Sequence, residues 1–185
     1  MNVRQRTYTQ RRRAENQADT RRRIVQATVD LHGTVGPART TISAIADLAG
    51  VQRHTVYEHF PVPGALLAAC GEHFLAAHPP PDVEAWRSFA EPARRARHGL
   101  TELYEYYEAN AQMIGLVLRD SAVVPVGGGF LTLQDRAAGV LSPSASKRST
   151  ATARVATSFF TWKELQARGF GSRPAALLMA SLISR

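Results

Sequence analysis

The 185-residue chain has one cysteine, Cys70. That excludes a disulfide within the chain and a zinc site built of cysteines. Set in Leu66-Leu67-Ala68-Ala69-Cys70, the thiol reads as a small buried hydrophobe, with a redox sensor as the alternative. Long apolar runs are missing, and no stretch approaches the length that crosses a bilayer. The first thirteen residues are basic but no apolar core follows, so they are not a secretory leader. The expected location is cytoplasmic. Enzyme signatures are missing too: there is no Gly-x-Ser-x-Gly, no His-Glu-x-x-His and no phosphate loop. Gly127-Gly128-Gly129 lacks a following Lys-Ser/Thr and reads as a loop. His54 with His59, and His73 with His78, are spaced wrongly for metal ligands on one helix face. No internal repeat or strand pattern stands out. No enzyme, cofactor or metal is expected, and Tyr104 with Glu108 is the best titratable pair an active site could draw on.

What is present is positive charge, unevenly placed. The net charge is +8 and the isoelectric point about 10.5. Residues 1–60 carry ten arginines against five acids, residues 61–185 thirteen bases against ten acids. Such an excess suits phosphate binding, although a basic surface can serve solubility alone. Arg4, Arg6, Arg11, Arg12 and Arg13 crowd residues 1–18, which read as a flexible arm that either follows a DNA backbone or is a solvated tail.

The most informative block is residues 40–60. Ile42, Ile45, Ala46 and Ala49 fall on one face of a short helix. Thr41 is placed to cap its start and to bond a phosphate as well, and Gly50 to end it in the left-handed conformation. After the turn, Val51, Val56 and Phe60 point to the inside of a second short helix. Gln52, Arg53, His54, Thr55, Tyr57 and His59 are left facing outward. Helix, glycine turn, helix is the plan whose second helix enters the DNA major groove. Arg53 is a candidate reader of guanine and Gln52 of adenine, with His54 and Thr55 beside them; the alternative is contact with phosphate or solvent only.

This block resembles the N-terminal signature of the TetR family of transcriptional regulators. Thr40, Thr41, Ile42, Ile45, Ala46, Ala49, Gly50, Val51, Thr55, Val56, Tyr57, His59 and Phe60 fit it. So do Arg23-Ile24-Val25-Gln26-Ala27 and Gly36 upstream and Ala65-Leu66-Leu67 downstream, so the likeness covers about residues 20–70. The late Phe159-Phe160-Thr161-Trp162-Lys163-Glu164-Leu165 is similar to the family's dimerising helix. Two departures stand out. His32 replaces a frequent aromatic, and Val62-Pro63-Gly64 replaces a common Ser-Lys-Glu whose lysine usually reaches a phosphate. The resemblance implies an all-α fold of about nine helices: a basic arm at 1–18, a helix-turn-helix domain at 19–64 and a ligand-binding and dimerisation body at 65–185. It implies phosphate contacts at Tyr57 and His59, with packing of the Tyr57 ring on the first helix as the alternative or alongside. It also implies a homodimer on a near-palindromic DNA operator, and release of a repressor by a small, hydrophobic ligand. A non-specific DNA-binding or interaction protein on the same fold is the alternative.

Helix 1 is expected from about Asp19, a plausible cap, to Thr34, with Ile24, Ala27, Thr28 and Leu31 inward. In the body, residues 83–109 read as a long helix, with Pro92 a kink or an early start, and residues 147–168 as another. Tyr104, Tyr107, Met113, Phe130, Phe159 and Trp162 either line the implied pocket or are plain core. Phe160, Leu177, Leu178, Leu182 and Ile183 are the candidate dimer surface, with packing inside the monomer as the alternative. Glu102, Glu105 and Glu108 recur at three-residue steps, either attracting a cationic ligand or forming a solvated edge.

Overall fold

A computed structural model describes residues 3–183; the side chains of residues 3–7, 9 and 63 lie outside that description. The arm residues Met1 and Asn2, the Arg4 and Arg6 side chains and the Pro63 ring therefore fall outside it. Among the described residues there are ten α-helices and no strand. They are α1 (Val3–Thr34), α2 (Ile42–Ala49), α3 (Arg53–His59), α4 (Pro63–Ala77), α5 (Pro92–Ala109), α6 (Ala111–Asp120), α7 (Gly128–Leu141), α8 (Lys147–Thr157), α9 (Phe159–Ala167) and α10 (Ser172–Ile183). Short 3-10 turns occupy Pro37–Arg39 and Ala85–Ser88. No single helix among the described residues is long and apolar enough to cross a membrane.

The chain forms two compact units, the first running to His78 and including Gly115–Val126, the second holding Pro79–Ile114 and everything from Gly127. In the first, α1 packs on α2 and α4, and α2 on α3. Its core is aliphatic apart from Phe60: Ile24, Val25, Ile45, Val56 and Leu66 fill the interior with alanines between them. Small side chains let three short helices approach closely, and burying them outweighs the weak propensity of helices this short to form alone.

Helix α1 starts at Val3, about sixteen residues before the expected cap. Residues 10–18 are good helix formers, and Arg11 donates to Glu15 one turn on at 2.9 Å. Asp19 is therefore not a cap. It lies inside the helix and pairs with Arg22 and Arg23. Helix α5 begins at Pro92 and not at residue 83, and the proline does not kink it but sits in its first turn, where no N–H is needed.

In the second unit, α5 buries Leu100, Leu103, Tyr104 and Tyr107 completely. Helix α10 is its largest neighbour. Ala175, Ala176 and Ala180 turn inward on α10 and permit that close approach. The stretch 147–168 is two helices, which raises the count from about nine to ten. The break at Ser158 has a physical cause. Tyr104 Oη donates to the Ala156 carbonyl at 2.7 Å and Tyr107 Oη to the Thr157 carbonyl at 2.6 Å. These are among the last carbonyls of α8, orphaned at any helix end. Ser158 Oγ then accepts from the Phe160 N–H and caps α9. The donors lie some fifty residues away in sequence, so no local pattern announces the break.

Candidate nucleic-acid interface

The interface is built on the turn between α2 and α3. Thr41 accepts from the Ala44 N–H at 3.2 Å and starts α2 as a cap. Gly50 closes it with φ 64° and ψ 42°, its N–H turned back to α2 carbonyls. Helix α3 then leaves with Val56 and Phe60 buried. Gln52, Arg53, His54, Tyr57 and Glu58 are exposed, and Thr55 and His59 half-buried. Tyr57 leaves 50 % of its surface in solvent, far more than a tyrosine used as core. The side chains of Gln52, Arg53, His54 and Tyr57 make no hydrogen bond or ion pair with any described residue. Gln52, Arg53, His54, Thr55, Tyr57 and His59 thus sit on α3 or at its N-cap, while Thr41 caps the preceding helix α2.

The motif did not mark the residues that hold α3 in place. Arg23 Nη1 donates to the Ala49 carbonyl at 2.7 Å, closing the C-terminal end of α2. Arg21 Nη1 donates to the His59 carbonyl at 3.1 Å, and its guanidinium lies 4.1 Å from the centre of the Phe60 ring. Cations at helix C-termini satisfy orphan carbonyls and oppose the helix dipole. Arg21 and Arg23 of α1 are therefore positioning residues for the helix-turn-helix, a role that neither charge nor the resemblance assigned to them.

A second brace comes from the end of α6. Asp120 Oδ2 accepts from the Ala38 N–H at 2.9 Å, and Arg119 Nη2 donates to the Val35 carbonyl at 2.9 Å. The Arg119 guanidinium, then the Ala38 N–H, hold the Asp120 carboxyl down to about 2. Only glycine fits between: Gly36 has φ 92°, and a Cβ there would meet the Arg119 guanidinium and lie 2.5 Å from Asp120 Oδ2. Gly36 is thus explained by a contact eighty residues away. His32 is buried on α1 with Nδ1 3.4 Å from Cys70 Sγ. Burial pushes the thiol up to about 11, which keeps it protonated and unreactive and favours the small-hydrophobe reading over a redox sensor. Val62, where the resemblance departs, is exposed just before α4.

In the second unit, Tyr104, Tyr107, Phe130, Phe159 and Trp162 come together, but packed on one another. Ring centres are 5.6 Å apart for Tyr107 with both Phe130 and Phe159, and 5.2 Å for Phe159 with Trp162. Met113 is half-buried on α6, outside this ring cluster. Phe160, Leu177, Leu178 and Leu182 are 41–61 % exposed, whereas Ile183 is buried, on the inward side of α10 with the alanines. Ile183 therefore lies off the outward stripe to which the sequence assigned it. Among the described residues no group of three or more His, Cys, Asp or Glu side chains is arranged to hold a metal.

An all-helical head whose short second helix shows an unpaired polar face defines a helix-turn-helix protein. The family of bacterial regulatory proteins called tetR matches residues 24–70. The matched stretch holds α2, α3 and the turn between them, where the motif lies, and it supports a DNA-binding transcription regulator family. No curated protein matches the chain.

Proposed function

We propose that the chain is a sequence-specific transcriptional regulator that represses by occupying a near-palindromic operator as a homodimer. A small molecule bound within residues 65–185 releases it. The observation that carries this reading is α3 itself: one side anchored by Val56 and Phe60, the other offering Gln52, Arg53, His54 and Tyr57 without internal partners. Unpaired amide, guanidinium, imidazole and phenol groups match base edges and phosphates. Thr41 and His59 flank them for backbone contacts that set register. In functional terms residues 1–18 supply basic charge, 19–64 read DNA, and 65–185 sense and dimerise. A protein of this kind works where the chromosome is, in the cytoplasm.

The dimer reading rests on the inverted pattern of α10, which buries alanines and leaves Leu177, Leu178 and Leu182 outside with Phe160 of α9. A two-fold helical pairing covers such a stripe economically. Two heads would then meet half-sites about one DNA turn apart, roughly 34–36 Å, or a multiple of it. The ligand acts by binding one arrangement of the heads better than another.

Gel-shift titration against the DNA flanking the protein's own gene tests the reading. Binding should exceed that to scrambled DNA by about 10³ or more and weaken linearly in log–log terms as salt rises. Equal binding to scrambled DNA would make the chain a non-specific DNA-binding protein on the same fold.

A further inference from the structure

The second unit carries a groove of about 560 Å³ that does not involve the packed aromatic cluster. Trp86, Phe89, Tyr106, Asp82, Glu102 and Glu105 are among its lining residues. The volume falls in the range of small-molecule sites. Its charge is opposite to that of the molecule. The chain has 23 lysines and arginines, yet none lines the groove, while three carboxylates do.

The groove is built rather than incidental. Gly99 on α5 leaves a notch for the Trp86 indole; a Cβ there would lie 2.8 Å from two of its ring carbons. Seated in that notch, Trp86 Nε1 donates to Glu102 Oε2 at 2.6 Å. His98 Nε2 lies 3.2 Å from Glu102 Oε1. The Glu102 carboxylate is thus aimed by two ring nitrogens. Glu105 and Tyr106 follow on the same face of α5, at three and four residues' spacing. No described residue pairs with Glu105. Phe89 packs against His98 at 4.5 Å between ring centres, and the Arg94 guanidinium lies 5.1 Å from its ring centre, so this ring is already a surface on which a cation rests.

We propose that the groove binds an organic monocation, an ammonium or guanidinium group carried on an apolar body. The charge sits by Glu102 and Glu105, and the body lies against Phe89 and Tyr106. This names the ligand class of the sensing body and rests on the reading of residues 65–185 as ligand-binding. A neutral ligand would strip water from the carboxylates and return at most an uncharged hydrogen bond, and an anionic one would be repelled. A bare metal ion is the poorer fit, because the carboxylates and His98 do not converge as a ligand set.

Calorimetric titration of the full chain tests this with phenethylammonium chloride as probe, 2-phenylethanol as its neutral match and 3-phenylpropionate as its anionic one. The ammonium should bind saturably, on the order of tenfold tighter than the alcohol, and the carboxylate should not bind. Glu105→Gln should weaken the ammonium about fivefold or more, whereas Glu108→Gln, outside the groove, should leave it unchanged. Equal affinity for ammonium and alcohol, no saturable binding, or indifference to Glu105→Gln with an unchanged melting curve would overturn the proposal. Gel shifts run alongside separate the two readings. Ammonium binding that depends on Glu105 but leaves the operator complex intact supports the groove and counts against ligand-controlled release. Release by the ammonium that Glu105→Gln does not alter overturns the groove.

Discussion

The two units are built from opposite materials. Around α1, α2 and α3 the interior is isoleucine, valine and alanine with one buried aromatic, Phe60, and the polar groups that matter point outward without partners. Around α5, Trp86, Tyr104, Tyr107, Phe159 and Trp162 are buried, and the polar atoms of those that carry one are bonded inward. Trp162 Nε1 donates to Ser172 Oγ at 3.0 Å, and the two tyrosines end α8. An aliphatic core makes no demands on hydrogen bonding and lets a short helix expose every donor it has. An aromatic core with polar tips specifies how distant helices meet. The first unit leaves the outer face of α3 unpaired; the second pairs the polar tips of its buried aromatic residues.

Single substitutions sharpen that contrast. The largest effect is expected from Phe159→Ala, which removes a ring in contact with Tyr107, Phe130, Phe160 and Trp162. Loss of a fully buried phenylalanine should cost about 3–5 kcal/mol of unfolding free energy, read from urea curves. A cost near zero would mean that the cluster is loosely packed. Arg53→Ala should do the reverse. Melting should not change, while operator affinity falls by about 1–3 kcal/mol, or roughly five- to 150-fold. A change in stability instead of affinity would break the assignment of α3 as the reading helix.

The smallest effect concerns His32. Burial holds its imidazole below the ordinary value, with the Asp120 carboxylate pulling the other way. The unfolded chain takes up this proton near pH 6.5, the folded head only at lower pH. Stability should therefore fall as pH drops through about 6.5, and the loss should stop once the folded imidazole also protonates. His32→Phe should flatten the urea midpoint between about pH 7 and 5. An unchanged slope would show that other groups govern that window.

Much of the head is legible because its determinants are close in sequence. The cap at Thr41, the left-handed Gly50 and the apolar spacing of α2 and α3 all act within about twenty residues. The cap expected at Asp19 is absent because a carboxylate in front of an apolar stripe also fits inside a helix, where arginines one turn on donate to it. In the body, the aromatic residues were identifiable as a group. Whether rings pack on one another or line a cavity depends on volumes contributed by helices far apart in the chain. The groove at Glu102 was foreshadowed only as a run of acids. Its indole partner and the notch at Gly99 come from packing.

Charge, apolar period and turn chemistry in the sequence alone determine that this protein is helical and that its head is a helix-turn-helix with a polar outer face. Those signals are local, and each is repeated in several neighbouring residues. Tertiary structure alone decided why Gly36 admits no side chain, that α8 stops at Thr157, that Ile183 turns inward, and that a +8 chain holds an acidic groove. Each of those outcomes depends on a partner or neighbour that packing, not spacing, brings to it.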